Sequence, residues 1–221
     1  LSPTDMLLRK EWQLLWRDPW LPSQTLMQTL YLLPAAYMIW LGSGGQIGMI
    51  FLAVPILVTS AGQLAGGLAW LAVSGEDAPD LIGTAPVSAS AIFWAKFASV
   101  GIGTYGVFAP FLLVLYIYTP LAASASFFGI AAAIASSTTI QYWFRLPATG
   151  GKTRRRQTAS RLTTYAEALA SVAWGAAAAM ALARTPRVLL AIGGASLVLT
   201  IAWAMRPRPT PESGPSRSTR V

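Results

Sequence analysis

Histidine and cysteine are missing from this chain altogether, and charged residues make up only 11% of its 221 positions. The first two absences remove an imidazole base, a thiolate nucleophile, a disulfide framework and any zinc site built from nitrogen and sulfur ligands. The scarcity of charge is as restrictive, because soluble domains carry about 25% charged residues and a chain with so few cannot coat its own surface. With 54% apolar residues the composition also excludes a disordered chain, and no glycine period suggests collagen. An integral membrane protein remains.

Eight carboxylates are present: Asp5, Glu11, Asp18, Glu76, Asp77, Asp80, Glu167 and Glu212. A membrane-embedded hydrolase or transferase needs paired carboxylates or a base at membrane depth, and only Glu167 of the eight falls inside an apolar run. No enzymatic activity is expected, and no catalytic, cofactor-binding or metal-binding residue. The formal charge of +8 is what basic cytoplasmic loops produce in a membrane protein, so no nucleic-acid partner is expected either.

A helix crosses the hydrocarbon core with about 20 mostly apolar residues. Runs of that kind lie at about 22–41, 47–73, 92–118, 121–142, 164–183 and 188–205. The expected fold is an all-α membrane protein whose transmembrane domain, residues 21–205, holds six spans. Lys96 and Glu167 stand near the starts of the third and fifth runs, where long side chains can reach the headgroups. Apart from Arg184 and Arg187, every Lys and Arg lies before the first run, at the base of the third, between the fourth and fifth, or after the sixth. The positive-inside rule therefore places both termini in the cytoplasm, with the plasma (inner) membrane as the expected location. Arg154, Arg155 and Arg156, in the basic loop 143–163, read as anchors that fix topology and touch anionic lipid.

Within residues 1–20, Leu8, Trp12, Leu15 and Trp16 share one face at helical spacing, while Arg9, Lys10, Gln13 and Arg17 lie largely on another. This spacing predicts an amphipathic helix in the membrane interface. Its interspersed charges exclude a signal peptide. The chain begins at Leu1, which suggests a processed product or the C-terminal part of something longer. Residues 206–221, rich in Pro, Ser, Arg and Thr, read as a disordered cytoplasmic tail.

Two motifs mislead. Gly101-Ile-Gly103-Thr-Tyr-Gly106 matches the dinucleotide fingerprint in letters, yet it lies inside an apolar run, where no strand can precede it and no new helix opens. Small residues at helix contacts are the better reading there. Gly151-Lys152-Thr153 resembles the end of a phosphate-binding loop, but Leu146 stands where that loop needs Gly. Gly62-x-x-x-Gly66 allows close helix approach. Pro34, Pro55 and Pro110, inside the first three runs, are expected to be tolerated there.

Three of the eight carboxylates crowd into the connection 74–91, as Glu76, Asp77 and Asp80. Topology does not require acids on the cytoplasmic side. A short helix with carboxylates at its positive end, an apolar Leu81-Ile82 ridge and a stop at Pro86 is suited to docking on a partner. The competing reading is a loop whose charges are simply solvated.

The order Lys10-Glu11, Arg17-Asp18-Pro19, span, short outer turn, span, Glu76 to Leu81, Pro86-Val87-Ser88 and Lys96 resembles the permease subunits of ABC-2 type exporters. In that family the corresponding cytoplasmic loop carries a Glu, a downstream Leu, a Pro-Val or Pro-Ile pair and a Lys opening the next span. The chain departs from the family where Asp77 replaces the usual basic neighbour of the loop Glu, and in its very short last outer turn. The resemblance implies that 76–86 forms a coupling helix on a separate ABC ATP-binding subunit, with Glu76, Asp77, Asp80, Leu81, Ile82, Pro86 and Lys96 as docking residues. It also implies a second permease unit, as a homodimer or as the other half of a longer chain. An ion-coupled secondary transporter and a non-transporting membrane scaffold are the alternatives.

Overall fold

The computed structural model describes residues 9, 13, 20–45, 48–74, 88–144 and 161–206. These residues form six helices: α1 (Trp20–Ser43), α2 (Gly48–Ser74), α3 (Ala89–Tyr118), α4 (Pro120–Trp143), α5 (Arg161–Leu182) and α6 (Val188–Ala204). No strand occurs among the described residues. Each of the six apolar runs lies on one helix. α2, α3, α4 and α5 contain stretches long and apolar enough to cross a membrane, while α1 and α6 contribute shorter apolar stretches, Leu32–Gly42 and Val188–Ala204.

Local chemistry sets where the helices start and stop. Ser88 takes an extended backbone and its Oγ accepts a hydrogen bond from the Ala91 amide at 3.3 Å, capping α3. Pro120 has no amide proton and ends α3, then serves as the first residue of α4, so one residue, Thr119, separates the two. The α1–α2 turn uses Gly45 at φ +100°, a conformation that glycine adopts without steric cost. Between α5 and α6 the left-handed position belongs to Arg184, at φ 52°. There the Thr185 amide reaches back to the Met180 carbonyl at 3.2 Å and the Arg184 amide to that of Ala181 at 3.0 Å, which closes the end of α5.

Pro34, Pro55 and Pro110 sit inside unbroken α1, α2 and α3. Each removes a backbone donor, so the carbonyl four residues earlier, in Leu30, Phe51 and Gly106, loses its helical partner. Membrane helices tolerate this loss because neighbouring helices support the chain.

α2 is the hub. It packs against α1, α3, α4 and α5, whereas α6 touches mainly α5 and α1 mainly α2. Leu57, Val58, Leu64 and Leu68 of α2 meet Leu32 of α1, Phe108 and Leu115 of α3, and Ile130 and Ile134 of α4 in one core. The outer surface is just as apolar, with Leu26 and Leu30, Ile102 and Leu113, Phe128, Leu169, and Leu189 and Leu190 exposed. The buried polar residues include Ser126, Ser137, Gln141, Thr163, Glu167 and Ser171. An apolar exterior around an apolar core that also holds small polar groups is the distribution expected of helices packed in lipid, where association relies on close approach and interhelical hydrogen bonds.

Candidate functional site

α2, α4 and α5 meet along a seam of residues spaced four apart. α2 supplies Val58, Gly62 and Gly66, α4 supplies Gly129, Ala133, Ser137 and Gln141, and α5 supplies Glu167, Ser171 and Gly175. A four-residue step keeps side chains on one face of a helix, so each helix turns one narrow ridge inward. A Cβ placed on Gly62 would lie 2.7 Å from Ser171 Cβ and would also strike Ser171 Oγ. One placed on Gly66 would lie 2.6 Å from Glu167 Oε2, and one on Gly129 would lie 2.8 Å from Val58 Cγ2. On α5, a Cβ at Gly175 would come within 2.9 Å of the Pro55 carbonyl and 2.7 Å of Thr59 Oγ1. Because 62 faces 171 while 66 faces 167, α2 and α5 run antiparallel, and the glycines let the Ser171 and Glu167 side chains lie directly against the α2 backbone.

Hydrogen bonds run across and along this seam. Ser137 Oγ donates to the Gly62 carbonyl at 3.0 Å, Trp174 Nε1 donates to Ser136 Oγ at 2.8 Å, and Ser171 Oγ donates to the Glu167 carbonyl at 2.7 Å. The side chain of Gln141 hydrogen-bonds the Glu167 carboxyl. Glu167 is only 7% exposed, and its Oε1 has no hydrogen-bond partner. Two other buried hydroxyls on these helices are also unpartnered: Thr163, one turn before Glu167 on α5, and Thr138, three residues before Gln141 on α4.

Sequence reasoning placed Lys96 and Glu167 at span ends with their charges reaching the headgroups. Both turn inward instead. Lys96 is 3% exposed, and its ammonium donates to the Ala72 carbonyl near the C-terminal end of α2. A cation is favourable there, because unpaired carbonyls and the helix dipole make that end negative. Glu167 turns inward because Gly66 leaves it room and Gln141 offers it a donor.

The other docking residues, Glu76, Asp77, Asp80, Leu81, Ile82 and Pro86, lie outside the described residues, as do Leu8, Trp12, Leu15 and Trp16 of the interfacial helix and Arg154, Arg155 and Arg156. The dinucleotide-like glycines fall in mid-helix on α3, preceded directly by residues of that same helix. Gly101 and Gly106 face open space and not a helix contact, which corrects the expectation for them. Gly62 and Gly66 do make the close approach expected of their spacing. The rest of the seam escaped notice, although its four-residue ladder of small and polar residues was visible on all three helices.

An open groove of about 540 Å³ runs between α2 and α5 along Pro55, Ile56, Thr59, Ser60, Val172 and Met180. Its lining is mainly apolar, with the hydroxyls of Thr59 and Ser60 as its only polar side chains and no charged group to hold a polar ligand. Compared with protein families, with curated proteins and with solved structures, the chain matches none.

Proposed function

We propose that this chain is the membrane-spanning permease subunit of an ABC-2 type exporter, driven by ATP hydrolysis on a separate ATP-binding subunit. On this reading all six helices span the plasma membrane with both termini in the cytoplasm, and two permease units enclose the transport path. The observation that carries the reading is the Lys96 to Ala72 contact. It ties the start of α3 to the end of α2 at the two points where the acidic connection leaves and returns. A displacement of that connection by an ATPase would therefore reach α2, and through α2 the four helices packed on it.

Glu76, Asp77 and Asp80 would set register and association rate through charge matching. Leu81 and Ile82 would supply the buried anchor, and the interfacial helix would pivot on the inner leaflet. The decisive experiment purifies the chain with its bound partners and reconstitutes the complex. Reversing charge at Glu76 and Asp80 together is expected to lower transport-coupled ATPase activity while leaving membrane insertion intact. Unchanged coupling, or purification without any ATPase, sinks the proposal. A second reading, ion-coupled transport by this chain alone, is favoured by one observation, the buried carboxyl of Glu167, and predicts solute movement under an ion gradient with no ATPase present.

A further inference from the structure

Glu167 is the only acidic residue within the six helices, and no basic residue is described beside it. The elements packed against α5 can be taken in turn. α2 has no titratable residue, α6 has none, and α4 has only Tyr142, whose side chain is exposed. On α5 itself, Arg161 stands at the first residue and Tyr165 is exposed. Among the described residues, the Gln141 amide is the one side-chain donor to the carboxyl, and Oε1 has no partner. A buried carboxyl so poorly supplied must obtain its compensation from outside the seam.

We infer that Glu167 is a binding site for a small monovalent cation, a proton or a dehydrated alkali ion, delivered to Oε1. The surrounding geometry favours so small a ligand. Gly66 brings the α2 backbone against the other carboxyl oxygen, so nothing as large as an organic cation fits in the closed seam. The unpartnered Thr163 hydroxyl, one turn closer to the start of α5, offers a second oxygen on the same face. Four residues of helix span about 6 Å, which places the pair as successive stations on a route from the end of α5 inward. Cation binding and release would then accompany closing and parting of the α2–α5 contact. This does not depend on an ATPase, so its failure would leave the exporter proposal standing.

The test treats the whole chain in liposomes with dicyclohexylcarbodiimide, which is too large for the closed seam but reaches the carboxyl from the bilayer whenever the α2–α5 contact parts, as cation exchange requires; it modifies protonated carboxyls in apolar surroundings, and peptide mass spectrometry locates the adducts. Modification at Glu167 is expected, and Glu167→Gln abolishes it. Slowing by sodium relative to choline, by about fivefold or more as in ordinary site coupling, identifies an alkali ion. Insensitivity to sodium, with a pH midpoint distinct from that of the other seven carboxylates, identifies a proton. Absence of modification, or modification that responds to neither sodium nor pH, overturns the inference. Mapping the adduct in the unaltered chain keeps the test decisive even where Glu167→Gln fails to insert.

Discussion

Replacing Gly62 with Ala adds one methyl group at the narrowest part of the α2–α5 contact. That methyl would lie 2.7 Å from Ser171 Cβ, where ordinary contact begins near 3.4 Å. Rotating Ser171 moves its hydroxyl away, at the cost of the 2.7 Å bond to the Glu167 carbonyl, but it leaves Cβ in place. The two backbones must therefore separate. Overpacking of this kind costs about 1 to 3 kcal/mol. Ala returns about 1 kcal/mol through its better helix propensity, so the net loss is about 0 to 2 kcal/mol, up to roughly thirtyfold in the unfolding equilibrium, and Gly62→Ala should stand about 1 to 3 kcal/mol below an alanine placed at a glycine with open space.

Gly106→Ala is the control. Its methyl meets open space, so only the propensity gain applies and stability is expected to hold or rise. Unfolding in bicelles, followed by steric trapping, reads all of these variants. Combining Gly62→Ala with Ser171→Gly removes the colliding atom, and the cycle should show a favourable coupling of about 1 kcal/mol or more. The reasoning is refuted where Gly62→Ala is as stable as Gly106→Ala, or where Ser171→Gly gives no rescue.

Three further outcomes follow from single contacts. Trp174→Phe removes the indole donor to Ser136 Oγ and should cost about 0.5 to 1.5 kcal/mol, most of it absent when Ser136 is Ala. Arg184→Gly should raise stability by about 1 kcal/mol, since a left-handed backbone strains any residue with a Cβ; an unchanged unfolding midpoint would count against this. For topology, a Cys placed at Ser43 should be labelled from outside the cell and one at Thr153 should not, and the reverse pattern would invert the proposed orientation.

The helices were legible because a mostly apolar run of this length has one low-energy form in lipid; the starts that the Ser88 cap and Pro120 set, at Ala89 and Pro120, lie slightly before the expected 92 and 121. The inward turn of Lys96 and Glu167 was not legible. Span-end position suggested an outward reach, and what decided otherwise was the carbonyl of Ala72 in one case and the space beside Gly66 in the other. Both partners lie on α2, more than twenty residues from the charge they receive, so neither is visible until the helices are packed. The Gly62–Gly66 pair shows the same limit. Its spacing permitted a close contact, but the same reasoning applied to Gly101 and Gly106 pointed to contacts that those residues do not make.

Packing also ranks the helices by how costly each is to move. In its most apolar stretch α3 is 22% buried, against 56% for α4, and its glycines at 101 and 106 meet no neighbour. α2, α4 and α5 share the interlocked seam, where Gly62, Gly66, Gly129 and Gly175 leave no room even for a Cβ, and shifting one of these helices past another drives side chains into that space. α3 is held differently, by Lys96 at its base, by the Tyr105 hydroxyl donating to the Phe127 carbonyl at 2.8 Å, and by Phe108 and Leu115 in the core. A force arriving at the α2–α3 connection would therefore tilt α3 about its base before it disturbed the seam. Spin labels at Ile102 on α3, Phe128 on α4 and Leu169 on α5, all exposed positions, test this order. The 102–169 distance should be broader than the 128–169 distance, and equal widths would mean that α3 is held as firmly as the seam.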